Sequence, residues 1–548
     1  MRCSTFFLLI FFTCSNILIL SKPRVTVIIV VDQLAYSYLP KLAPFLKHGI
    51  KFFMQEGIVY HNAYFPHSMP STGPGHTSLT TGITADYHGI IANNWCDAHG
   101  KKIACDDDNA TTAAVINPTG GFYDRGKGPC NIMVDSISDQ FALSSQPDAP
   151  CVSFAVSLKS RSAICSANKM GKALWFDSKT GFFTSSKAYF DQLPEWLVSF
   201  NNQQTVNKLT KISWPLFYPK NSRAYNFKYI DNYRYSTRPP MAGKTMIFNA
   251  NTQHPLDWYE HTPAANQLLF DLALHCIKTN IEIPNQHMLI WICLSSLDMI
   301  GHDFGPYSRE AIDMIYHLDY QIGQFMNALG TYIDPSDILF VLSADHGITP
   351  IPELLKQQGY NAHRINTKKI IPQINFALEK QFGIHNLITA CTSSQIYLNP
   401  ILYNTLDANT QKQSSKIIRN ILSAQPGIKH IWTAQELKTS CFGPDQIESF
   451  YKKQFYSGRS GQFIIQPFPY CLLDDYNKGT GHRTPYEPDT HVPLILYQKN
   501  SFERKIITDK VWIPQLANSL AHILHIPKPS ASTYDMLPGL IKSNPAIS

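Results

Sequence analysis

Apolar positions in this chain gather into continuous runs, and three of those runs lead to an aspartate. Val25-Thr26-Val27-Ile28-Ile29-Val30-Val31 leads to Asp32. The run Leu289-Ile290-Trp291-Ile292-Cys293-Leu294-Ser295-Ser296-Leu297 leads to Asp298, with His302 four residues on. Ile338-Leu339-Phe340-Val341-Leu342-Ser343-Ala344 leads to Asp345, with His346 adjacent. Apolar, β-branched runs without polar alternation predict strands buried on both faces of a parallel sheet. Cys151–Ser157 and Val492–Tyr497 read as further strands. Helices are predicted near Pro40–His48, with its proline tolerated in the first turn, and near His76–Thr81, Ala264–Lys278, Arg309–Leu329 and Trp512–Leu524. Strands alternating with helices predict an α/β fold, a layered and mostly parallel sheet flanked by helices. Two segments break the pattern, about 97–262, rich in Tyr, Asn and Pro, and about 352–476. They are expected to be inserted cap segments over the sheet edge, with strands of their own.

At 548 residues and 44% hydrophobic, the chain can bury a large core. Its net charge of +7 comes without a long Lys/Arg run, so nucleic-acid binding finds little support. Arg2, the mostly apolar stretch Phe6–Leu20 and then Ser21-Lys22-Pro23 read as an export signal over residues 1–22, which leaves 23–548 as the mature catalytic domain. The alternative is a retained anchor. No other run is long and apolar enough to span a bilayer, so no stable membrane span is expected once the signal is removed. The expected location is periplasmic or secreted. Ten of the twelve cysteines lie beyond the signal, where disulfides are permitted, and Cys96 and Cys105 are a plausible pair across a short polar loop.

Ligands of parallel sheets collect at the carboxyl ends of the strands. Asp32, Asp298 and Asp345 would therefore meet at one edge, where three carboxylates repel and call for a cation between them. With His302 and His346 nearby the donors are carboxylate oxygen and imidazole nitrogen, a set that suits zinc, with manganese or iron as alternatives. Asp298 and His302 are four apart and fall on one side of a helical turn. A further histidine comes from Gly479-Thr480-Gly481-His482, with His491 as its rival. In Ser71-Thr72-Gly73-Pro74-Gly75-His76 the proline suits a first helical turn, so Thr72 sits at a helix N-terminus, where free N–H groups favour phosphate. A hydroxyl there that touches a metal becomes a nucleophile. The competing role for Thr72 or Ser71 is a helix cap. His76 and His88 flank this helix and are expected to shape it.

The stretches VVDQL, STGPGHTSLTTGITADYHGIIANNW, SLKSRSAI, SSLDMIGHDFGP, SADHGITP and GTGHRTPYEPDTHVP resemble the alkaline phosphatase superfamily. The resemblance is to its type I phosphodiesterase and nucleotide pyrophosphatase branch, and within that to the bacterial alkaline phosphatases with a threonine nucleophile. It covers nearly the whole exported chain. It implies an alkaline phosphatase-like fold with two Zn2+ ions. Asp32, Thr72, Asp345 and His346 would hold one, and Asp298, His302 and His482 the other. It further implies Thr72 as nucleophile and Asn93 as a hydrogen-bond donor to a phosphoryl oxygen. Ser71 places a second hydroxyl beside Thr72, while Thr72 keeps the family's spacing to His76 and Asn93.

Lys159 and Arg161 bear on the branch. Two apart in an extended segment, they point the same way and would stabilise the extra charge of a phosphate monoester, arginine bidentately. The resembling monoesterases carry this pair. A metal-dependent phosphoric monoester hydrolase acting on small-molecule phosphate monoesters through a phosphothreonine is therefore expected. The alternatives are a nucleotide pyrophosphatase or phosphodiesterase, and a catalytically silent surface binding protein. A sulfatase is disfavoured because the chain has no Cys-x-Pro-x-Arg sequence. The sequence does not speak to oligomeric state.

Overall fold

Because their residues are apolar on both sides, the three runs can be satisfied only in the middle of a covered sheet. The computed structural model, which describes residues 22–97, 99–204, 206, 209, 211–247, 256–474 and 477–540, puts them there. The main sheet has nine strands: β1 (Val25–Val31), β2 (Ile58–Tyr64), β3 (Cys151–Ser157), β4 (Lys172–Asp177), β5 (Phe182–Thr184), β6 (His287–Leu294), β7 (Ile338–Ser343), β8 (Leu494–Gln498) and β9 (Lys505–Trp512). Their order is β9-β2-β8-β7-β1-β6-β3-β4-β5. Five neighbour pairs are parallel and three antiparallel, so the sheet is mostly parallel. Every residue of β1 and of β7 is buried.

Register decides what reaches the edge. Val31 stands opposite Leu294, and Val30 opposite Ser343, so β6, β1 and β7 end side by side. The ladder continues one residue further, with the Asp32 N–H donating to the Leu294 carbonyl at 2.9 Å. Antiparallel β8 pairs Leu494 with Ser343, which returns the segment preceding it to the same edge. Five helices matter for the site and its support: α1 (Thr72–Thr81), α2 (Ser160–Ala167), α3 (Pro263–Ile281), α4 (Ser296–Phe304) and α5 (Arg309–Leu329). α2 and α3 both pack on β3 and β6.

The structure departs from the sequence reading in several places. The expected helix Pro40–His48 is instead two, Tyr38–Leu42 and Gly49–Glu56. The break is held by Asp319 of α5, whose carboxylate accepts from the backbone N–H groups of Lys47, His48 and Lys51 at 2.7, 2.9 and 3.1 Å. The run before Asp298 stops being a strand at Leu294. Ser295 and Ser296 end it, and Asp298 lies in the first turn of α4. The segment 97–262 is not wholly an insertion, because β3, β4 and β5 within it complete one side of the main sheet. β4 and β5 are short and aromatic, which hides their periodicity. The segment 352–476 does hold strands of its own. Ile388–Thr392, Gln395–Leu398, Phe463–Pro467 and Ile428–Thr433 form a four-stranded sheet in that order, over a separate core that includes Ile374, Leu378, Ile418 and Leu422. Cys96 and Cys105 are not bonded to each other. Both are buried free thiols, and the Cys105 thiol is hydrogen-bonded to Cys165 of α2.

The export-signal reading rests on residues 1–21, which lie outside the described residues. Among the described residues no helix is long and apolar enough to cross a membrane.

Candidate active site

The side chains singled out in the sequence arrive at the carboxyl edge of the sheet on several different elements. Asp32 follows β1, Asp345 and His346 follow β7, and Asp298 and His302 share one face of α4. His482 comes in on the segment ahead of β8, which is pinned to the β7 loop by Thr349 N–H donating to the Gly481 carbonyl at 2.9 Å. Lys159 and Arg161 follow β3, though not in the extended segment expected. Lys159 is the N-cap residue of α2 and Arg161 lies in its first turn.

Two groups of donor atoms lie within 4.8 Å of one another, Asp298 with His302 and His482, and Asp32 with Asp298 and His346. His302 Nε2 is 3.1 Å and His482 Nε2 3.7 Å from Asp298 Oδ1. His346 Nε2 is 3.3 Å from Asp32 Oδ1 and 3.6 Å from Asp345 Oδ2. The other nitrogen of each ring is already committed. Nδ1 of His302, His346 and His482 lies 2.8, 2.9 and 2.7 Å from the carbonyls of Thr480, Gly347 and Pro70. A carbonyl can only accept, so Nδ1 carries a proton in each ring and Nε2 is the nitrogen turned toward carboxylate oxygens. Carboxylates crowded there call for positive charge between them. Asp32 Oδ1, Asp345 Oδ2 and His346 Nε2 are buried without a hydrogen-bond partner. Imidazoles fixed through Nδ1 and converging with carboxylates are the donor set of a zinc site with its supporting hydrogen bonds, and the residues present fit that metal.

One cation of the chain already stands among the acids. Lys159 Nζ is 2.6 Å from Asp32 Oδ2 and 2.5 Å from Asp298 Oδ2. Burial, with Asp298 and Asp345 beside it, pushes the Asp32 carboxyl up to about 7. Burial also works against Asp298 and Asp345, but His302 and Lys159 hold Asp298 well below the usual range, and His346 and His76 hold Asp345 below it. Burial together with His346 and His302 keeps the His482 ring neutral far below its ordinary value.

α1 begins at Thr72, and the N-cap residue Ser71 makes no side-chain cap bond. The Ser71 hydroxyl is buried without a partner, so neither adjacent hydroxyl is seen capping the helix. Gly75 is required here, since a Cβ would lie 2.2 Å from the Asp345 carbonyl oxygen. Asn93 Oδ1 accepts from Gly73 N–H at 2.7 Å, which leaves its amide nitrogen to donate elsewhere. A cavity of about 470 Å³ is lined by Thr72, Asn93, Lys159, Arg161, Asp298, His302 and His482. Arg161 Nε is buried and makes no hydrogen bond. Asp32, Asp345 and His346 are buried against this set through the contacts above. None of the residues singled out lies apart from the others. The rival His491 does. It stacks on Tyr36 and Tyr64, and its Nε2 lies 2.7 Å from the His61 carbonyl.

Several contributors escaped the sequence reading. Gln33, at φ 72°, donates Nε2 to Asp298 Oδ1 at 2.7 Å and its N–H to Asp345 Oδ1 at 3.2 Å. Its place beside Asp32 was the available signal. His76 does more than shape α1, with Nδ1 3.2 Å from Asp345 Oδ2. Gln454, from the distant 352–476 segment, clamps the approach to Thr72. It accepts from Met69 N–H at 2.7 Å and donates to the Met69 and Ile91 carbonyls, each at 2.8 Å. Nothing local in the sequence marks it.

A sequence profile described as type I phosphodiesterase / nucleotide pyrophosphatase matches residues 26–484. Among similar proteins, one from Myroides odoratus named calcium-transporting ATPase is 27% identical over 533 residues, 94% of each chain. Alkaline phosphatase PafA from Elizabethkingia meningoseptica is 27% identical over 491 residues, 86% of each chain. The crystal structure of wild-type PafA superposes with a TM-score of 0.82 at 24% identity, covering 94% of this chain and 98% of that one, and this likeness speaks to the fold.

Proposed function

Because this chain belongs to the type I phosphodiesterase / nucleotide pyrophosphatase family, in the alkaline phosphatase superfamily, we propose that it hydrolyses phosphate monoesters with a pair of zinc ions and Thr72 as nucleophile. One observation carries the reading. Thr72, Arg161 with its unpaired Nε, Asp298, His302 and His482 line a single cavity, and Asp32, Asp345 and His346 are buried against that set. Relatives named alkaline phosphatase along most of their length support it. In this reading residues 23–548 form one catalytic domain, capped by parts of 97–262 and by 352–476, and the stretch 1–22 directs export to the periplasm or beyond.

Asp32, Thr72, Asp345 and His346 would hold one ion, and Asp298, His302 and His482 the other. Zinc bound there acidifies a neighbouring hydroxyl and draws off charge that gathers on the leaving oxygen. The chain supplies the rest. Thr72 Oγ1 attacks phosphorus in line with the ester oxygen, forming a phosphothreonine and releasing the alcohol, and water then cleaves the new P–O bond. Arg161 grips non-bridging oxygens, bidentately where geometry allows, and the Asn93 amide donates to another. Gly73 N–H and Gln454 keep Asn93 and Thr72 in place for that contact. Lys159 adds a second positive charge. A monoester dianion gains more from two cations than a diester monoanion does, which favours the monoesterase over the phosphodiesterase alternative. Positioning and charge stabilisation account for most of the rate in such transfers.

Purified protein is expected to carry about two zinc ions per chain by elemental analysis. Thr72→Ala should keep the fold, and the metal through the remaining ligands, while kcat/KM on an aryl phosphate falls by roughly 10³-fold or more. Full activity in that variant, or a wild-type protein that takes up no zinc, would reject the mechanism.

A further inference from the structure

Two cavities, each of about 470 Å³, meet at His302, Asp303, His482 and Arg483. One is the cavity that contains Thr72. The other opens beyond His302 and His482 and is lined by Leu472, Leu473, Asp474, Lys478 and Thr480. On the reading above, Asp298, His302 and His482 would hold one cation, and His302 and His482 line both cavities. A leaving group on their side of phosphorus would extend into the second cavity.

The acids around that cavity are already engaged. Asp474 is held at 2.7 Å by Arg364, which Glu353 shares, and Asp303 at 2.8 Å by Arg238, which Asp257 shares, and at 3.2 Å by His261. Asp298, whose charge also reaches Arg483, is bound to Lys159. Among the described residues Arg483 and Lys478 make no hydrogen bond or ion pair. Two cations without a hydrogen bond or ion pair, Arg483 within electrostatic reach of Asp474 and Asp298, therefore line a cavity whose wall includes two leucines. Arg483 also has φ 94°, a conformation that side chains other than glycine rarely adopt and that tends to persist where a site needs it. The neighbouring Gly481 carbonyl is tied to Thr349 and the His482 ring to Pro70, so the backbone that aims Arg483 is fixed on its N-terminal side.

We propose that the second cavity receives the leaving group, and that Arg483, assisted by Lys478, selects monoesters whose alcohol carries a carboxylate on a short apolar frame. Guanidinium matches carboxylate geometry, and the leucines take the apolar part. The reaction is unchanged. The departing alcohol takes up the proton that Thr72 gives up, and water then supplies the oxygen that phosphate gains and restores the Thr72 proton.

The test compares 3-carboxyphenyl phosphate with its neutral isostere 3-carbamoylphenyl phosphate on the zinc-loaded full chain. The corresponding phosphonates, which are not hydrolysed, report binding alone by calorimetry. The carboxylate should be favoured roughly 10-fold in kcat/KM and in phosphonate affinity, with the preference shrinking as salt is raised. Arg483→Gln should bring the ratio toward one, and Lys478→Gln should lower it partway, which keeps the test readable if the Arg483 variant folds poorly. A ratio of one or less in the wild-type protein overturns this inference and leaves the phosphatase reading standing. Equal losses on both substrates in Arg483→Gln also overturn it, by placing Arg483 on the transferred phosphoryl group. Failure of the wild-type protein to hydrolyse either ester overturns the phosphatase reading, and this inference with it.

Discussion

Arg161 brings a guanidinium whose buried Nε has no hydrogen-bond partner into the cavity that Thr72 faces. Arg161→Ala should therefore cost on the order of 2–4 kcal/mol in the barrier, a loss of about 10²–10³ in kcat/KM on a phosphate monoester. The loss on a diester should be smaller, because a diester brings less charge to the contact. Parallel rate measurements on both substrate types check this, and equal losses would place Arg161 outside phosphoryl recognition. At this scale the sequence was most legible where chemistry and spacing agree. Asp298 and His302, four apart, share a helical face as expected. Lys159 and Arg161 both line the cavity, although they get there through the helical start of α2 and not through strand alternation. Gln33 had only its place beside Asp32 to mark it, and Gln454 had nothing. An uncharged side chain acquires its role from partners that only the fold supplies, and those of Gln454 lie 363 and 385 residues away.

α1 carries Thr72, and its support depends on protonation. His67 Nε2 and His88 Nε2 each lie 3.0 Å from the Ser78 hydroxyl of this helix, and both rings are buried. Burial, with Lys453 nearby, pulls the His67 ring down to about 3, and burial with His67 nearby also lowers His88 well below its usual value. The folded chain thus keeps both neutral, while the unfolded chain takes up protons below about pH 6.5. Their contribution to stability is complete above that pH and is lost as pH falls toward 3. The expected slope is about 1.4 kcal/mol per pH unit for each ring. Denaturant titrations between pH 7 and 4 should show that decline, with a shallower slope in His67→Asn. An unchanged slope in the variant would mean that His67 is not held neutral. The long elements were legible because their periodicity is long. α5 was predicted over its observed span, Arg309–Leu329. The first predicted helix was not, because Asp319 starts a second helix from across the core. β4 and β5 are too short and aromatic to announce themselves.

Over the whole molecule, a mostly parallel sheet gathers the candidate ligands from the sequence positions 32, 298, 345 and 482 at one edge, with antiparallel β8 bringing back the last of them. The α/β class and the meeting of the three aspartates followed from buried runs that end in acids. The division of the 97–262 segment between sheet and cap did not, because membership of a sheet is settled by pairing partners far along the chain. The account as a whole rests on a cavity built for a dianionic phosphoryl group. The most direct measurement is kcat/KM of the zinc-loaded protein on an aryl phosphate and on the corresponding methyl aryl phosphate diester. The account predicts a monoester preference of about 100-fold or more, since the diester forfeits charge-assisted contacts to Arg161 and Lys159. Equal rates, or a faster diester, would contradict it.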